Sequence, residues 1–315
     1  MKDEKEIFAG NELVGKFGVS YLDEKLHGIL RSDLILIGAR TGAGKSTIAN
    51  QIAYHNAKNG IKVSLFSLEN YENEFVLMEL FKECQRSYYC PTTDFREFKA
   101  KLKTFPDEIV ERAFTVVEKD MENIRTVSRK PDGFNIEDMK KYFIDHARNG
   151  SQIFVIDHID YFDMHNPKVN ENQNITEIMR EIRKLQDVYQ VPVVLISHLK
   201  KGLRETIVPT LEDFMGTSNK VKEATTVILF APDDDENTND IDYIKKTWIC
   251  IRKERGLGFF NTICNIGFNM RTKTYEEKYR IHKVNYWGTK VDGLEKSIAL
   301  GTPLEDFFRK EGIDD

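Results

Sequence analysis

The sequence predicts an α/β fold in which a mostly parallel, twisted β-sheet is flanked by helices and ends in a β-hairpin. Short apolar runs rich in β-branched residues recur along the chain, separated by stretches with helical periodicity. A glycine-rich loop directly follows the first run and precedes a helical stretch, an order typical of phosphate-binding α/β proteins. With 315 residues and 40% hydrophobic content, the chain can bury the core of one large domain.

Six apolar runs are predicted to be strands, because their near-continuous hydrophobicity fits strands that helices cover on both faces. They are LILIG (34–38), VSLFSLE (63–69), FTVVE (114–118), IFVIDHID (153–160), VPVVLISH (191–198) and TVILF (226–230). The segment 248–268 predicts two further strands joined at Gly256 and Gly258, and such a hairpin would close the sheet.

Apolar residues at i, i+3 and i+4 predict helices over 74–85 and 174–189. After about residue 276 the pattern weakens, although capping-box signatures beginning at Asp292 and Thr302 predict two short helices. The expected organisation is an N-terminal extension (1–15), one large α/β domain (16–275) and a C-terminal tail (276–315).

Composition restricts the class of protein. No run of about 18 apolar residues is present, and the charged N-terminal segment lacks the apolar stretch of a signal peptide, so we expect a soluble, intracellular protein. A net charge of −5 is not the strongly basic footprint of a protein that coats nucleic acid. The four cysteines lack C-x-x-C spacing and indicate neither a zinc site nor a disulfide framework.

The loop GARTGAGKST (38–47) matches the phosphate-binding pattern G-x-x-x-x-G-K-[ST], except that Ala39 stands at the first glycine. Backbone N–H groups in such a loop surround phosphate oxygens at a helix N-terminus. Lys45 would reach the β- and γ-phosphates of ATP, and the Ser46 hydroxyl would bind Mg²⁺. The residues expected to hold the nucleotide are Ala39, Arg40, Thr41, Gly42, Ala43, Gly44, Lys45, Ser46 and Thr47.

Two carboxylates at the ends of other strands are candidates for the remaining chemistry, because ligands bind at the carboxyl ends of strands in such sheets. Asp157 is the expected second magnesium ligand, and an aspartate that merely caps the next segment is the alternative. Glu69 is the candidate that orients or deprotonates the attacking water. An exposed strand-end glutamate would have the same sequence.

Five motifs occur in an order that resembles the C-terminal motor domain of DnaB-type replicative helicases. They are GARTGAGKST, FSLEN, FVIDHIDYF, VPVVLISHLK and IRKERGLG. The resemblance covers about residues 15–275, includes the alanine in the loop, and extends to the helicase half of phage primase-helicases. It implies a RecA-like fold, ATP and Mg²⁺ as cofactors, and ATP hydrolysis coupled to DNA unwinding in replication.

The resemblance also implies individual roles. Glu69 would be the catalytic glutamate and Asp157 the Mg²⁺-coordinating aspartate. Lys253 and Arg255 match the basic pair that enters the ATP site of the neighbouring subunit, with solvated hairpin residues as the alternative. His198 matches the sensor of the γ-phosphate, with a hydrogen-bonded core histidine as the alternative.

DNA contacts are implied for three loops that would face a central channel, after Asp157, after His198 and near Gly216. Met215 departs from the arginine that is common in the third loop. The candidates for phosphate contacts are Lys200, Lys201, Arg204, Lys220 and Lys222, each with a solvated surface position as the alternative.

The expected function is therefore an ATP-dependent helicase or translocase on single-stranded DNA. It would act as a homohexamer or other ring in the cytoplasm of a cell or a phage-infected host, with a loader, primase or other replication protein as partner and no membrane. The family's collar or primase domain is not found, so ring formation is expected to be weak, DNA-dependent or assisted. Two alternatives remain: a RecA-like DNA-binding ATPase that does not unwind, and a helicase loader or regulator.

Overall fold

The structure is a computed structural model. It describes residues 13–40, 43–69, 72–87, 94–104, 107–128, 133–162, 171–199, 209–214, 218–233, 243–256, 262–270, 272–283 and 296–298. The helices in these ranges are α1 (Ser20–Leu26), α2 (Lys45–Lys58), α3 (Glu72–Ser87), α4 (Phe95–Lys101), α5 (Asp107–Met121), α6 (Ile136–Arg148), α7 (Glu171–Tyr189) and α8 (Ser218–Glu223).

The strands begin with β1 (Leu13–Gly15), β2 (Ile29–Leu30), β3 (Leu34–Ala39), β4 (Val63–Ser67), β5 (Ile124–Ser128) and β6 (Ile153–Asp157). They continue with β7 (Val193–His198), β8 (Thr226–Pro232), β9 (Ile244–Glu254), β10 (Thr262–Asn269), β11 (Thr274–Lys283) and β12 (Lys296–Ile298).

Ten of the described strands form one mixed sheet in the order β12-β11-β10-β9-β8-β3-β7-β6-β4-β5. The strands from β8 to β5 in this order are parallel. The strands β9 to β12 extend the sheet beyond β8 as antiparallel neighbours. β1 and β2 form a separate antiparallel pair. The central strand β3 leads into the glycine-rich loop, so the parallel part of the sheet positions the loop beside the carboxyl ends of its neighbours.

Helices cover both faces of the parallel strands, which explains why the strand sequences are apolar throughout. In β3, Ile35 and Ile37 pack in a core cluster that includes residues of α2. Leu34 and Leu36 face the opposite cluster, which includes residues of α6 and α7. All four side chains are fully buried, and burial of each contributes about 1.5–3 kcal/mol.

Most of the predicted elements are confirmed. The runs beginning at residues 34, 63, 153, 191 and 226 contain β3, β4, β6, β7 and β8, and the helices expected over 74–85 and 174–189 are α3 and α7. The hairpin strands are β9 and β10, with Cys250 opposite Ile263. Among the described residues, no helix combines the length and apolar composition needed to cross a membrane.

The prediction of a strand at FTVVE (114–118) is wrong, because these residues lie inside α5. Ala113 and Val117, four residues apart, are fully buried, whereas Phe114 is exposed. This is the spacing of one helix face, and the charged residues on either side of the run extend the helical pattern. The edge strand of the sheet is instead β5, which follows the helix.

The C-terminal tail also differs from the expectation. β11 continues the sheet past the expected domain boundary at residue 275. Residues 296–298, where a helix beginning near Asp292 was expected, form β12, and Ile298 pairs with Tyr279. Cross-strand pairing with β11 therefore overrides the local capping signature in that segment. The second expected helix, at Thr302, lies outside the described residues.

Candidate functional site

The glycine-rich loop connects β3 to α2 at the carboxyl edge of the sheet. Gly44 caps the first turn of α2 with φ 81°, a left-handed conformation that favours glycine. A Cβ at Gly44 would also lie 3.3 Å from the hydroxyl of Tyr275. The amide of Ala43 donates to the Arg40 carbonyl at 3.1 Å. The predicted residues Thr41 and Gly42 lie outside the described part of the chain.

The flanks of the loop are fixed by neighbouring strands. Ala39 is fully buried, and its carbonyl accepts the Leu199 amide at 3.2 Å, so an alanine at the first loop position is accommodated in the core. The Arg40 amide donates to the Phe230 carbonyl at 3.1 Å, and its guanidinium lies 3.6 Å from the Asp213 carboxylate. Ser46 and Thr47 follow Lys45 in the first turn of α2, as the motif predicts.

Asp157 ends β6 and has the surroundings of a cation ligand. It is 1% exposed, and neither carboxylate oxygen has a hydrogen-bond partner within the standard distance and angle limits among the described residues. Burial raises its pKa to about 6, opposed by the nearby Ser46 hydroxyl, His158 and Lys45. An isolated buried carboxylate beside a hydroxyl at a helix N-terminus offers the oxygen ligands that Mg²⁺ prefers. Asp157 and Ser46 therefore fit the metal site predicted from the sequence.

Lys45 lies among the carboxylates of this edge. Burial lowers the pKa of its ammonium, and the negative charges of Glu69, Asp157 and Asp160 oppose that effect. Glu69, just after β4, is 38% exposed, and its Oε2 lies 3.7 Å from Nε2 of His158. Glu69 is thus open to solvent while it remains close to the buried part of the site, which suits a residue that orients water.

His198 ends β7 directly beside the loop, because it pairs with Ala39 across the strands. Its Nε2 lies 2.9 Å from Nε2 of His158, and the two rings are nearly perpendicular. Burial, followed by the charges of His158 and Lys45, lowers the pKa of His198, which favours a neutral imidazole at physiological pH. The side chain is half-buried and hydrogen-bonded, so both the sensor role and the structural alternative stay open.

The structure adds residues whose roles the sequence left undefined. Asp160, three residues after Asp157, accepts the His198 amide at 2.8 Å and the Ser197 hydroxyl at 3.1 Å. It also accepts the Lys220 ammonium at 2.7 Å. The sequence signal for this role is the presence of polar residues directly after the apolar strand β6, since a buried strand alone has no need of them.

The expected DNA contact at Lys220 is wrong for this conformation. The side chain is fully buried, and its ammonium also donates to the Ser197 hydroxyl at 2.9 Å, so it is not available to a phosphate. Lys222, two residues later on α8, is exposed. The other predicted DNA contacts lie outside the described residues: Lys200, Lys201 and Arg204.

Lys253 and Arg255 lie at the opposite edge of the sheet from the loop. Lys253 pairs with Val227 at the beginning of β8. The loop, by contrast, follows Ala39 at the end of β3, which pairs with Phe230 near the other end of β8. The Lys253 ammonium donates to the carbonyls of Val221 at 2.6 Å and Ala224 at 2.7 Å, so it is not a solvated hairpin residue. Burial lowers its pKa.

Arg255 is exposed, and one guanidinium nitrogen lies 3.5 Å from the Glu223 carbonyl. The structure therefore brings Lys45, Ser46, Asp157 and Glu69 together at one edge. It does not bring Arg255 to the loop of its own chain.

Comparison with known proteins identifies relatives for most of the chain. A family model described as DnaB-like helicase C terminal domain matches residues 16–277. The replicative DNA helicase DnaC of Bacillus subtilis (strain 168) is 25% identical over 245 residues, which cover 76% of this chain and 51% of that protein. The replicative DNA helicase DnaB of Buchnera aphidicola subsp. Schizaphis graminum (strain Sg) is 25% identical over 304 residues, covering 92% and 59%. The chain spans about half the length of the curated relatives it matches.

Solved structures share the fold. A DnaB-like replicative helicase, described with its interactions with primase, superimposes with a TM-score of 0.71 at 19% identity, covering 86% of this chain and 64% of that chain. A solved ATPase domain gives a TM-score of 0.72 at 19% identity, covering 86% and 94%. These similarities confirm the α/β, RecA-like fold class predicted from the sequence.

Proposed function

The chain belongs to the DnaB-like helicase C-terminal domain family, and from this premise we propose that it is an ATP-driven motor that moves along single-stranded DNA and separates the duplex ahead of it. The observation that carries the proposal is the division of the candidate catalytic groups between two opposite edges of the sheet. Lys45 and Glu69 lie at the carboxyl edge, and Arg255 lies at the other. A site divided in this way becomes complete when the edges of two subunits meet.

In the proposed mechanism, the loop amides and Lys45 bind and orient the phosphates of ATP. Ser46 and Asp157 would hold Mg²⁺, which neutralises charge on the phosphate oxygens when it is bound. Glu69, open to solvent, orients the attacking water and receives its proton. His198, in register with Ala39, reports the presence of the γ-phosphate to the end of β7.

The neighbouring subunit would supply Lys253 and Arg255. An arginine provided in this way stabilises charge on the transferring phosphoryl group and can increase the rate by about 10³ to 10⁵. Arg255 is suited to the task because it is exposed. Lys253 fixes the strand end by binding the carbonyls at the end of α8. Hydrolysis would then require assembly, as a hexamer or another ring.

Single-stranded DNA is the proposed substrate, and Lys222 is an exposed candidate for a phosphate contact. Lysine contacts to phosphates give binding that is independent of sequence and weakens with salt. A loader, a primase or another replication protein is the proposed partner, and the cytoplasm of a cell or a phage-infected host the proposed location.

The test is ATP hydrolysis with and without single-stranded DNA, run beside unwinding of a forked duplex. We expect hydrolysis that DNA stimulates, together with unwinding, and loss of both in Arg255→Ala. Arg280→Ala is the matched control, because Arg280 is also an exposed arginine on the antiparallel part of the sheet. Loss of activity in Arg280→Ala to the same degree would mean that the effect is not specific to Arg255.

The two alternative functions predict different results. A RecA-like DNA-binding ATPase would show DNA-stimulated hydrolysis without unwinding. A helicase loader or regulator would show little DNA-stimulated hydrolysis and would lose partner binding when residues 299–315, which follow β12, are removed. ATP hydrolysis by the wild type that single-stranded DNA does not stimulate would contradict the proposal that the protein is a DNA motor.

A further inference from the structure

Lys220 occupies a position that lysine rarely takes, because its side chain is fully buried on the short helix α8. Its ammonium donates to Asp160 at 2.7 Å and to the Ser197 hydroxyl at 2.9 Å. A buried charge is unfavourable unless it is paired and hydrogen-bonded. These contacts therefore hold α8 against the carboxyl ends of β6 and β7.

Asp160 connects this ammonium to the candidate sensor. Its Oδ2 accepts the amide of His198 at 2.8 Å and lies 3.4 Å from Nδ1 of His158. Burial would raise the pKa of Asp160, but hydrogen bonding with His158 and the Lys220 ammonium outweigh burial and hold the pKa well below its ordinary value. The carboxylate stays ionised and fixes the backbone where β7 ends.

Asp160 is also connected to the side chain of His198 through the imidazole of His158. A carboxylate at Nδ1 favours the tautomer with the proton on that nitrogen, which leaves Nε2 as an acceptor. Nε2 of His158 then accepts the Nε2–H of His198, with 2.9 Å between the two nitrogens. A continuous series of polar contacts therefore runs from α8 to His198, which pairs with Ala39 beside the nucleotide loop.

His158, Asp160 and His198 also have the composition of a transition-metal site, since their ligand atoms lie within 4.8 Å of one another. The ammonium of Lys220, however, already lies 2.7 Å from Asp160. A divalent cation beside that ammonium would be repelled at short range in a buried environment. The cluster is therefore better suited to positioning side chains than to holding a metal.

We propose that the buried ion pair of Asp160 and Lys220 is a positioning element that couples the nucleotide site to helix α8, so that the bound nucleotide sets the affinity for single-stranded DNA. The inference rests on the proposed function, because it requires both ligands. Contact between a γ-phosphate and His198 would move the strand end that Asp160 holds. The ion pair would transmit that movement to α8, where Lys222 is exposed two residues away.

The experiment measures the affinity for a labelled single-stranded oligonucleotide with ADP and with a non-hydrolysable ATP analogue. In the wild type we expect the two Kd values to differ by roughly 5- to 150-fold, the usual range for coupled sites. In the double variant Asp160→Asn/Lys220→Met we expect this ratio to fall to about 1, because the two sites are no longer coupled. Nucleotide affinity, measured separately, should be retained.

The substitutions are chosen so that the protein remains folded. Replacing both members of a buried ion pair by uncharged residues is often tolerated, whereas replacing one is not. Lys220→Arg keeps the charge and should preserve the ratio. If the double variant does not fold, Asp160→Asn/Lys220→Gln takes its place with the same expectation, because it also removes both charges and its two amide side chains can still form a hydrogen bond.

Lys222→Met is the matched control, since both lysines lie on α8 and only Lys222 is exposed. Because the ion pair acts on DNA through the position of this lysine, loss of its phosphate contact should weaken DNA binding and also reduce the ratio, whereas the double variant should reduce the ratio and keep the contact. A ratio that persists in Asp160→Asn/Lys220→Met overturns the inference. A wild-type ratio near 1 also overturns it, and DNA-stimulated hydrolysis in the same preparation would show that the proposed motor survives.

Discussion

Lys220→Met would leave the Asp160 carboxylate without its ammonium partner inside the protein. The Lys220 side chain is 0% exposed and that of Asp160 16% exposed, so water screens this pair only weakly. Loss of one member of a buried ion pair commonly lowers the free energy of unfolding by about 3–5 kcal/mol. Asp160 keeps the Ser197 hydroxyl and the His198 amide, which places the expected loss near the lower value, about 3 kcal/mol.

Urea denaturation followed by circular dichroism measures this loss directly. The double variant Asp160→Asn/Lys220→Met should recover stability to within about 1 kcal/mol of the wild type, because neither charge remains buried alone. Lys101→Met is the control for an exposed pair: the Lys101 ammonium lies 2.6 Å from the Glu97 carboxylate on α4, and its loss should cost about 0–1 kcal/mol. A decrease of less than about 1 kcal/mol in the free energy of unfolding of Lys220→Met would refute the claim that this ion pair is buried.

Three further predictions concern the same edge of the sheet. Burial raises the pKa of Asp157 to about 6, so ionisation of this carboxyl group lowers the stability of the metal-free protein as pH rises from about 4 through about 6. Asp157→Asn should therefore raise the free energy of unfolding at neutral pH without Mg²⁺ by up to about 3 kcal/mol, and it should abolish Mg²⁺-dependent hydrolysis. Urea denaturation in EDTA measures the first effect, and an unchanged free energy of unfolding would contradict this account. Glu69→Gln should keep ATP binding and lower turnover by about 10²- to 10⁴-fold, measured by equilibrium binding and steady-state hydrolysis; near-normal turnover would exclude Glu69 as the base. The pKa of Asp160 is lowered in the folded protein, so its contribution to stability is complete above the unfolded pKa of roughly 4 and is lost as pH falls below that value. Below a pH of about 4, the urea midpoint of the wild type should therefore fall more steeply with pH than that of Asp160→Asn/Lys220→Met. Equal slopes for the two proteins would argue against the ion pair.

The nucleotide loop and the carboxylates beside it could be predicted because their signals are local. The loop is one contiguous pattern between a strand and a helix. Asp157 and Glu69 each follow an apolar run, and parallel strands bring such ends to one edge of the sheet. The structure gathers these residues as expected, and their catalytic roles stay predictions.

The burial of Lys220 could not be predicted because its cause is not local. Lys220 and Lys222 lie on the same short helix and look alike in the sequence, yet one is buried and the other exposed. The partners of Lys220 are 60 and 23 residues away, at the ends of two different strands. The resemblance assigned both lysines to a DNA-contacting loop, and the sequence does not show which face of α8 meets the sheet.

The FTVVE run illustrates a different limit. Its β-branched residues favour a strand when only five positions are read. The spacing of Ala113 and Val117 becomes informative when the flanking charged residues are included, since the whole segment then has one apolar face. Packing of that face in the cluster with Leu80 and Phe81 decides the outcome in favour of a helix.

The central claim is that two subunits share each catalytic site. Its most direct measurement is DNA-stimulated hydrolysis by Arg255→Ala and Lys45→Ala, each alone and mixed in equal amounts. Each variant alone should be inactive, and the mixture should regain about a quarter of wild-type turnover, because about one interface in four joins an intact Lys45 to an intact Arg255 in a randomly mixed ring. Full activity of Arg255→Ala alone, or a mixture as inactive as its components, would contradict the shared site.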